Sequence, residues 1–513
     1  MNSWNEGYFT ESTYTYGYYR DISPAWQNFC LLLNGFVAPE MNDNSVHCEL
    51  GFGQGVSANV HAAATLGKYF GTDFNPAQAA FAQELCQASG ADAKFFDNSF
   101  EEMLNRDDLP QFDSISLHGI WSWISEENQK HIVEFAKKFL KPGGIFYNSY
   151  NCYPGWSPAA PMREIFILHD KYSHKSSKTF ERIQEALDFT EELLNKNPAY
   201  FNRVPDVKGI FDRTKQLDHD YLAHEYFNRD WICMYFADVA EILQAAKLDF
   251  ACTTEIVEAL EYLNFTNDTL EFLNKIDNKI MRTQIKDYFL SRQFRKDIFV
   301  RGVRKLSNFE QITGLLNRNY VLISTSQFPT SADVPLGKIN LSEKTLETVY
   351  KYFAGDNYAP KNFSNYSEKI PDVSVNDLIN ILVVLIHSGN IAPCQSAEIS
   401  RRVEKQCNAL NKHLCNRAKT SDEVAVLASP VLGCGYPVSR FDKIFISAIF
   451  EGKKNVDDIA NYSWKIFAEQ GLRVTKSSGI VEGAEENIAE LKNLVQNFFD
   501  NRLPIMKALK IIQ

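Results

Sequence analysis

Three glycines at alternate positions, Gly51, Gly53 and Gly55 in "CELGFGQGVSANV", are where this chain first shows chemistry. They follow the apolar run "VHCEL" and precede a small-residue stretch, Val56 to Leu66, that reads as a helix. A glycine-rich turn from strand to helix lets a ligand meet bare backbone, and doubly wound sheets bind nucleotide-like ligands there. The nicotinamide fingerprint wants its third glycine or alanine where Val56 stands, and no Walker lysine follows, so dinucleotide and triphosphate binding are disfavoured. Asp73 ends "KYFGTD", eighteen residues beyond Gly55, where a carboxylate can accept hydrogen bonds from both hydroxyls of a ribose. "FFDNSFEEM" then offers Asp97, Asn98 and Ser99 near a base edge, and "LHGIWSW" brings His118, Gly119, Trp121 and Trp123 to the end of a later strand.

The elements that must position these residues alternate from 46 to 150. "VHCEL", "KYFGTD", "AKFF", "FDSISL" and "GIFYNSY" read as strands with helices between them, which implies a parallel sheet covered on both faces. Ahead of it "ISPAWQNFCLLLNGF" reads as a helix with Ser23 as N-cap and Pro24 at its first position. Residues 160 to 285 are mostly helical by their spacing of three and four, 286 to 345 alternate like strands in "DIFVRGV" and "NYVLIST", and 396 to 513 return to helix. At 513 residues the chain exceeds a single core.

Composition narrows the setting. A net charge of −11 argues against bulk attraction to nucleic acid or anionic membrane, and no run of about eighteen apolar residues predicts a membrane span. Ten cysteines without a CxxC pair suit a reducing compartment and predict neither a disulfide framework nor a zinc site. The amino-terminal "MNSWNEGYFTESTYTYGYYR" lacks the cationic start and apolar stretch of a secretion signal, so a bacterial-type cytoplasmic protein is expected. The run "SRQFRKDIFVRGVRK" is the basic exception. It reads first as a solvated strand face and second as a docking surface for an acidic partner.

Taken in order, "ELGFGQG", "GTD", "DNSFEE", "LHGIWSW" and "LKPGG" resemble the class I S-adenosylmethionine-dependent methyltransferases across about 46 to 150. The resemblance implies an α/β fold, a doubly wound Rossmann-like methyltransferase sheet with mostly helical accessory domains, and S-adenosyl-L-methionine as cofactor. It implies that Gly51, Gly53 and Gly55 let the backbone approach the methionine and ribose, that Glu49 helps hold the ammonium, and that Asp73 takes the ribose. Asn98 and Ser99 would contact adenine, with the backbone at His118 and Gly119 beside the amino-acid end. Two plainer readings stand beside these: Glu49 as a helix-end partner and His118 as a satisfied core histidine.

The likeness runs on. "YTYGYYRDISP", "NSYNCYPGW", "DYLAHEYFN" and "WICMYFADVAEIL" are similar to methyltransferases that carry a methyltransferase regulatory domain, among them the rickettsial protein lysine methyltransferases, over about 8 to 305. The organisation it implies is a methyltransferase domain with an N-terminal lid at 1–165, a helical regulatory or dimerisation domain at 166–305, a middle α/β domain at 306–395 and a C-terminal helical domain at 396–513. Tyr14, Tyr16, Tyr18 and Tyr19 are expected to close over the cofactor, with Trp121, Trp123 and Tyr150 beside it, because a sulfonium favours an aromatic, water-poor wall. Tyr221, His224 and Tyr226 either reach in to orient an acceptor amine or pack the helical domain. A metal held by His219, Asp220, His224 and Glu225 is declined, since the two histidines are five apart and would not share one helical face well. The fourth strand lacks the Asn or Asp followed by two prolines and an aromatic used on nucleic-acid bases, which disfavours a nucleic-acid substrate. The expected activity is methylation of a polypeptide on lysine, with no membrane insertion and a homodimer left open. A small-molecule methyltransferase and a non-catalytic cofactor-binding protein are the alternatives.

Overall fold

Short apolar strands alternating with helices leave each strand's backbone groups to pair with a neighbour, and parallel pairing requires apolar cover on both faces. The computed structural model describes residues 15–204, 206–477 and 479–512. Seven strands, β1 (Val46–Leu50), β2 (Lys68–Thr72), β3 (Ala93–Phe96), β4 (Phe112–Leu117), β5 (Leu140–Asn151), β6 (Leu248–Thr253) and β7 (Phe294–Arg301), lie in the order β3-β2-β1-β4-β5-β7-β6. The first five pair in parallel, and β7 runs antiparallel to both β5 and β6. The doubly wound α/β sheet expected from the sequence is the sheet observed.

Helices α1 (Pro24–Leu33), α2 (Val56–Ala64), α3 (Pro76–Ser89), α4 (Phe100–Leu104) and α5 (Glu126–Phe139) belong to the first half. Then α6 (Ala160–Tyr172), α7 (Thr179–Asn195), α8 (Ala199–Arg203), α9 (Val207–Thr214), α10 (His219–Tyr226) and α11 (Phe236–Gln244) form an insertion between β5 and β6. The span 166–305, expected as a helical domain, therefore also supplies the last two strands of the sheet. Its strands were hard to see as part of the sheet because Ile145 of β5 pairs with Val300, a contact that local periodicity cannot show. The insertion has its own small core of Phe166, Leu187, Phe211, Leu222 and Tyr226.

One continuous core runs from α1 through Val60, Ile145, Tyr147 and Val300 into Val321, Leu410, Ile446 and Leu509. The long helix Ala397–Arg417 packs on α2 and α3, where Gln395 Nε2 donates to the Ala64 carbonyl at 2.7 Å. The C-terminal region thus covers one face of the sheet. It also holds an antiparallel pair, Val426–Ser429 with Cys434–Pro437, within the part expected to be helical. No helix among the described residues is long and apolar enough to cross a membrane.

The basic run is not a uniformly solvated face. Strand alternation turns Arg295 and Asp297 inward, where Arg295 is 2% exposed and Asp297 fully buried. Arg295 Nε and Nη2 grip Asp297 at 2.7 and 3.0 Å, and its Nη1 reaches Asp287 Oδ1 at 2.6 Å. Tyr150, also fully buried, donates to Asp297 at 2.7 Å. Lys296, between them, points the other way to Asp21 at 3.2 Å and Glu255 at 2.8 Å. Removing one partner of a buried pair strands the other charge, so Asp297→Ala is expected to lower stability by about 3–5 kcal/mol. Lys296→Ala, at a partly solvated pair, is expected to cost about 1 kcal/mol or less. Denaturant unfolding of the two variants compares them directly.

Candidate functional site

Parallel strands end at the same edge, so the residues that follow β1, β2 and β4 meet there. Gly51 N donates to Thr72 O at 2.8 Å and Gly55 N to Phe52 O at 2.9 Å, which folds the chain between β1 and α2 into a tight turn. Gly51 and Gly55 hold φ of 71° and 68°, in the left-handed region that side chains strain, and a Cβ on Gly55 would come within 2.5 Å of Ala82 Cβ. Gly53, also left-handed at 57°, donates its N–H to Asp73 Oδ2 at 2.8 Å. Asp73 Oδ1 accepts from Asn75 N at 3.1 Å, and the Gln78 amide donates to both carboxylate oxygens at 2.7 and 3.2 Å.

Two carboxylates are thereby buried at adjacent strand ends. Burial pushes Asp73 up to about 7 against the opposing N–H donors of Asn75 and Gly53. Glu49, 8% exposed, is pushed up to about 8, by burial first and Asp73 second. Its side chain makes no hydrogen bond or ion pair among the described residues, so the helix-end role considered for it is absent. An acid in that condition is satisfied by an incoming cation.

His118, just past β4, pairs its Nδ1 with Tyr147 Oη at 2.8 Å and stacks on the Tyr19 ring with centroids 4.1 Å apart. Burial pulls its pKa down to about 4, with Asp21 opposing, so the ring is neutral near pH 7. Gly119 N donates to Ser149 Oγ at 2.8 Å. Tyr19 is tied to the start of α2 through its N–H to Ser57 Oγ at 2.8 Å. The N-terminal segment thus lies against both the glycine turn's helix and the end of β4.

Other expected site residues are employed elsewhere. Ser99 caps α4, accepting from Glu102 N at 3.2 Å, and Asn98 Oδ1 accepts from Arg106 Nη1 at 2.9 Å, leaving backbone and half-buried surface at the expected base edge. Tyr18 joins His61 Nε2 at 3.2 Å and accepts from Gly435 N at 2.6 Å, so its hydroxyl anchors the N-terminal segment to the C-terminal region. Tyr16 packs edge-on against Phe81 of α3, and Tyr14 lies outside the described residues. The turn Trp121–Trp123 folds its rings inward: Trp121 and Tyr150 are wholly buried and Trp123 is 7% exposed. Large apolar rings gain more from the core beneath β4 and β5 than from a solvent-facing wall, so Trp121 and Tyr150 do not form the aromatic wall expected of them.

Helix α10 divides the remaining candidates by face. Leu222 and Tyr226, four apart, pack into the helical core, Tyr226 against Trp156 and Phe166, and His224 is 3% exposed. Tyr221 and Glu225, also four apart, share the other face. Tyr221 is 43% exposed, and its phenol is pushed up to about 12 by burial of its hydroxyl end, then by Glu225, Tyr226 and Tyr19. Tyr221 is thus within electrostatic reach of Tyr19, which lies on His118. Glu225 is half-buried, makes no hydrogen bond or ion pair among the described residues, and is raised by burial to about 7. The sequence reading weighed Glu225 only as a metal ligand. The signal that could have found it is the i, i+4 spacing from Tyr221.

The profile of a family described as a methyltransferase domain matches residues 48–144, and one described as a predicted methyltransferase regulatory domain matches 218–301. An uncharacterised protein of Synechocystis sp. is 34% identical over 512 residues, covering 99% of this chain and all of its own. An uncharacterised protein of Rickettsia prowazekii is 24% identical over 317 residues, 61% of this chain and 55% of that protein. PKMT2 from Rickettsia typhi, solved in complex with AdoHcy, shares the fold with a TM-score of 0.70 at 18% identity, over 97% of this chain and all of that one.

The two raised carboxylates make a pH prediction. Both acids have folded pKa values above their unfolded ones, so folding favours their protonated forms. Their contribution is full below about pH 4 and is lost as pH rises toward 8. The melting temperature of the ligand-free protein is expected to fall over that window, and Glu49→Gln, neutral and similar in shape, is expected to flatten the fall. An unchanged slope would mean that Glu49 is not buried as described.

Proposed function

Because the chain belongs to the class I S-adenosylmethionine-dependent methyltransferases that carry a methyltransferase regulatory domain, we propose that it methylates a polypeptide on the amine of lysine side chains. The observation that supports this reading is that Tyr221 of the inserted helical region, on the same helix face as Glu225, is within electrostatic reach of Tyr19, and Tyr19 lies on His118 at the end of β4.

The residues of the turn suit the cofactor. Glu49, buried without a partner, is placed for its ammonium, and Asp73, at the end of β2, for its ribose hydroxyls. The left-handed glycines leave room for bare backbone beside it. When bound, S-adenosylmethionine supplies a methyl group on a positively charged sulfur. His118, kept neutral, adds no like charge next to that sulfur.

A lysine arrives as an ammonium with pKa about 10.4 and reacts only after losing a proton. Desolvation beside Tyr19 and Tyr221 favours the neutral amine. Glu225, raised to about 7, is suited to accept the proton near neutral pH, while the Tyr221 phenol stays protonated and can orient the amine. The partial exposure of Tyr221 suits an acceptor on a polypeptide rather than one enclosed as a metabolite. Ten unbridged cysteines suit the cytoplasmic setting that belongs to this reading.

Incubating the protein with methyl-labelled S-adenosylmethionine and cell lysate is expected to place label in protein, recovered after hydrolysis as methyllysine. Label confined to small molecules would overturn the polypeptide reading. Glu225→Gln is expected to slow turnover by about 100-fold with cofactor affinity unchanged. Asp73→Ala is expected to weaken cofactor binding by about 1.5–3 kcal/mol in calorimetry, since the ribose loses a charged acceptor.

A further inference from the structure

A cleft of about 560 Å³ opens where the N-terminal segment meets the middle and C-terminal regions. Its described lining includes three guanidiniums, Arg20, Arg318 and Arg502, and one carboxylate, Asp21, which is already paired with Lys296 at 3.2 Å. Neither the glycine turn nor Glu49, Asp73 or His118 lines it, so it is separate from the methyl-transfer site.

The three arginines differ in how well they are partnered. Arg502 has Asp442 at 3.4 Å and donates to Tyr436 Oη at 2.9 Å and Pro437 O at 3.0 Å. Among the described residues no carboxylate pairs with Arg318. The side-chain hydrogen bond it makes among them is a long 3.4 Å contact from Nη1 to Cys394 O, which leaves most of its five donors unused, and burial pushes its pKa down. The Arg20 side chain makes no hydrogen bond or ion pair among the described residues, and its guanidinium lies 3.7 Å over the Trp26 ring. Both guanidiniums are half-buried, and two such groups without a carboxylate partner around one metabolite-sized cleft favour an anion between them.

We propose that this cleft binds a small polyanion with two or more carboxylate or phosphate groups, gripped by Arg20 and Arg318. Planar guanidiniums match both kinds of oxyanion in two-point contacts, and the apolar remainder of the lining, such as Ile323 and Leu432, suits a carbon skeleton between the charged groups.

The test is calorimetric titration of the full chain with citrate and with pyrophosphate at constant ionic strength, with sodium chloride as control. At least one polyanion is expected to bind saturably at one per chain, and whichever binds more tightly identifies the oxyanion class. Arg318→Gln is expected to weaken that binding by about tenfold or more, with affinity for S-adenosylmethionine unchanged. Should Arg318→Gln unfold, Arg20→Gln reads the same site from its other wall. No saturable binding of either polyanion, or equal binding by folded variants, would overturn the proposal. Loss of S-adenosylmethionine binding by the parent protein would instead count against the methyltransferase site alone.

Discussion

Hydrogen bonds from β1 to its two parallel neighbours, with His47 beside Tyr69 on one side and Ser114 on the other, set three strand ends at one edge. Glu49, Asp73 and His118 are far apart in sequence and meet only because those strands run the same way. Parallel pairing carries a demand of its own, since both faces of the sheet must be covered. On one face the cover comes from α1, α2 and the C-terminal region; on the other it comes from α5 and α11. The accessory regions are therefore part of what holds the site's edge in register.

The antiparallel strand β7 carries a second constraint. It sits between β5 and β6 with Arg295 buried; Asp297 and Asp287 satisfy that guanidinium, and Tyr150 donates in turn to Asp297. The inserted helices leave the sheet at β5 and return at β6, so this pairing fixes both ends of the insertion. From there α10 presents one face to its own core, while the other carries Tyr221 and Glu225. One row of residues packs and another is left to the surface.

Buried charge appears in this molecule in two conditions. Arg295 is fully partnered and acts as structure. Glu49, Glu225 and Arg318 are buried or half-buried with few partners or none, and each lies beside a turn, a face or a cleft able to admit a ligand of opposite charge. The contrast between these conditions, more than charge itself, separates the charges that hold the fold from those left open to a ligand.

The sequence by itself determined the doubly wound sheet, the glycine turn and the placement of Glu49 and Asp73, because strand period, helix period and left-handed glycines are local properties of the chain. It also separated the inserted helices from the first five strands. It did not show that β6 and β7 close the sheet, since Ile145 meets Val300 through pairing that no local pattern encodes. Nor did it sort the aromatic residues: Trp121 and Tyr221 look alike as letters near a site, yet one is sealed in the core and the other is 43% exposed. Tyr18 is expected from the sequence to close over the cofactor, but its bond to Gly435 is set by the docking of the C-terminal region. Which side chains are buried, which are partnered and which are left facing a cleft depends on contacts between distant segments, and only the tertiary structure decides them.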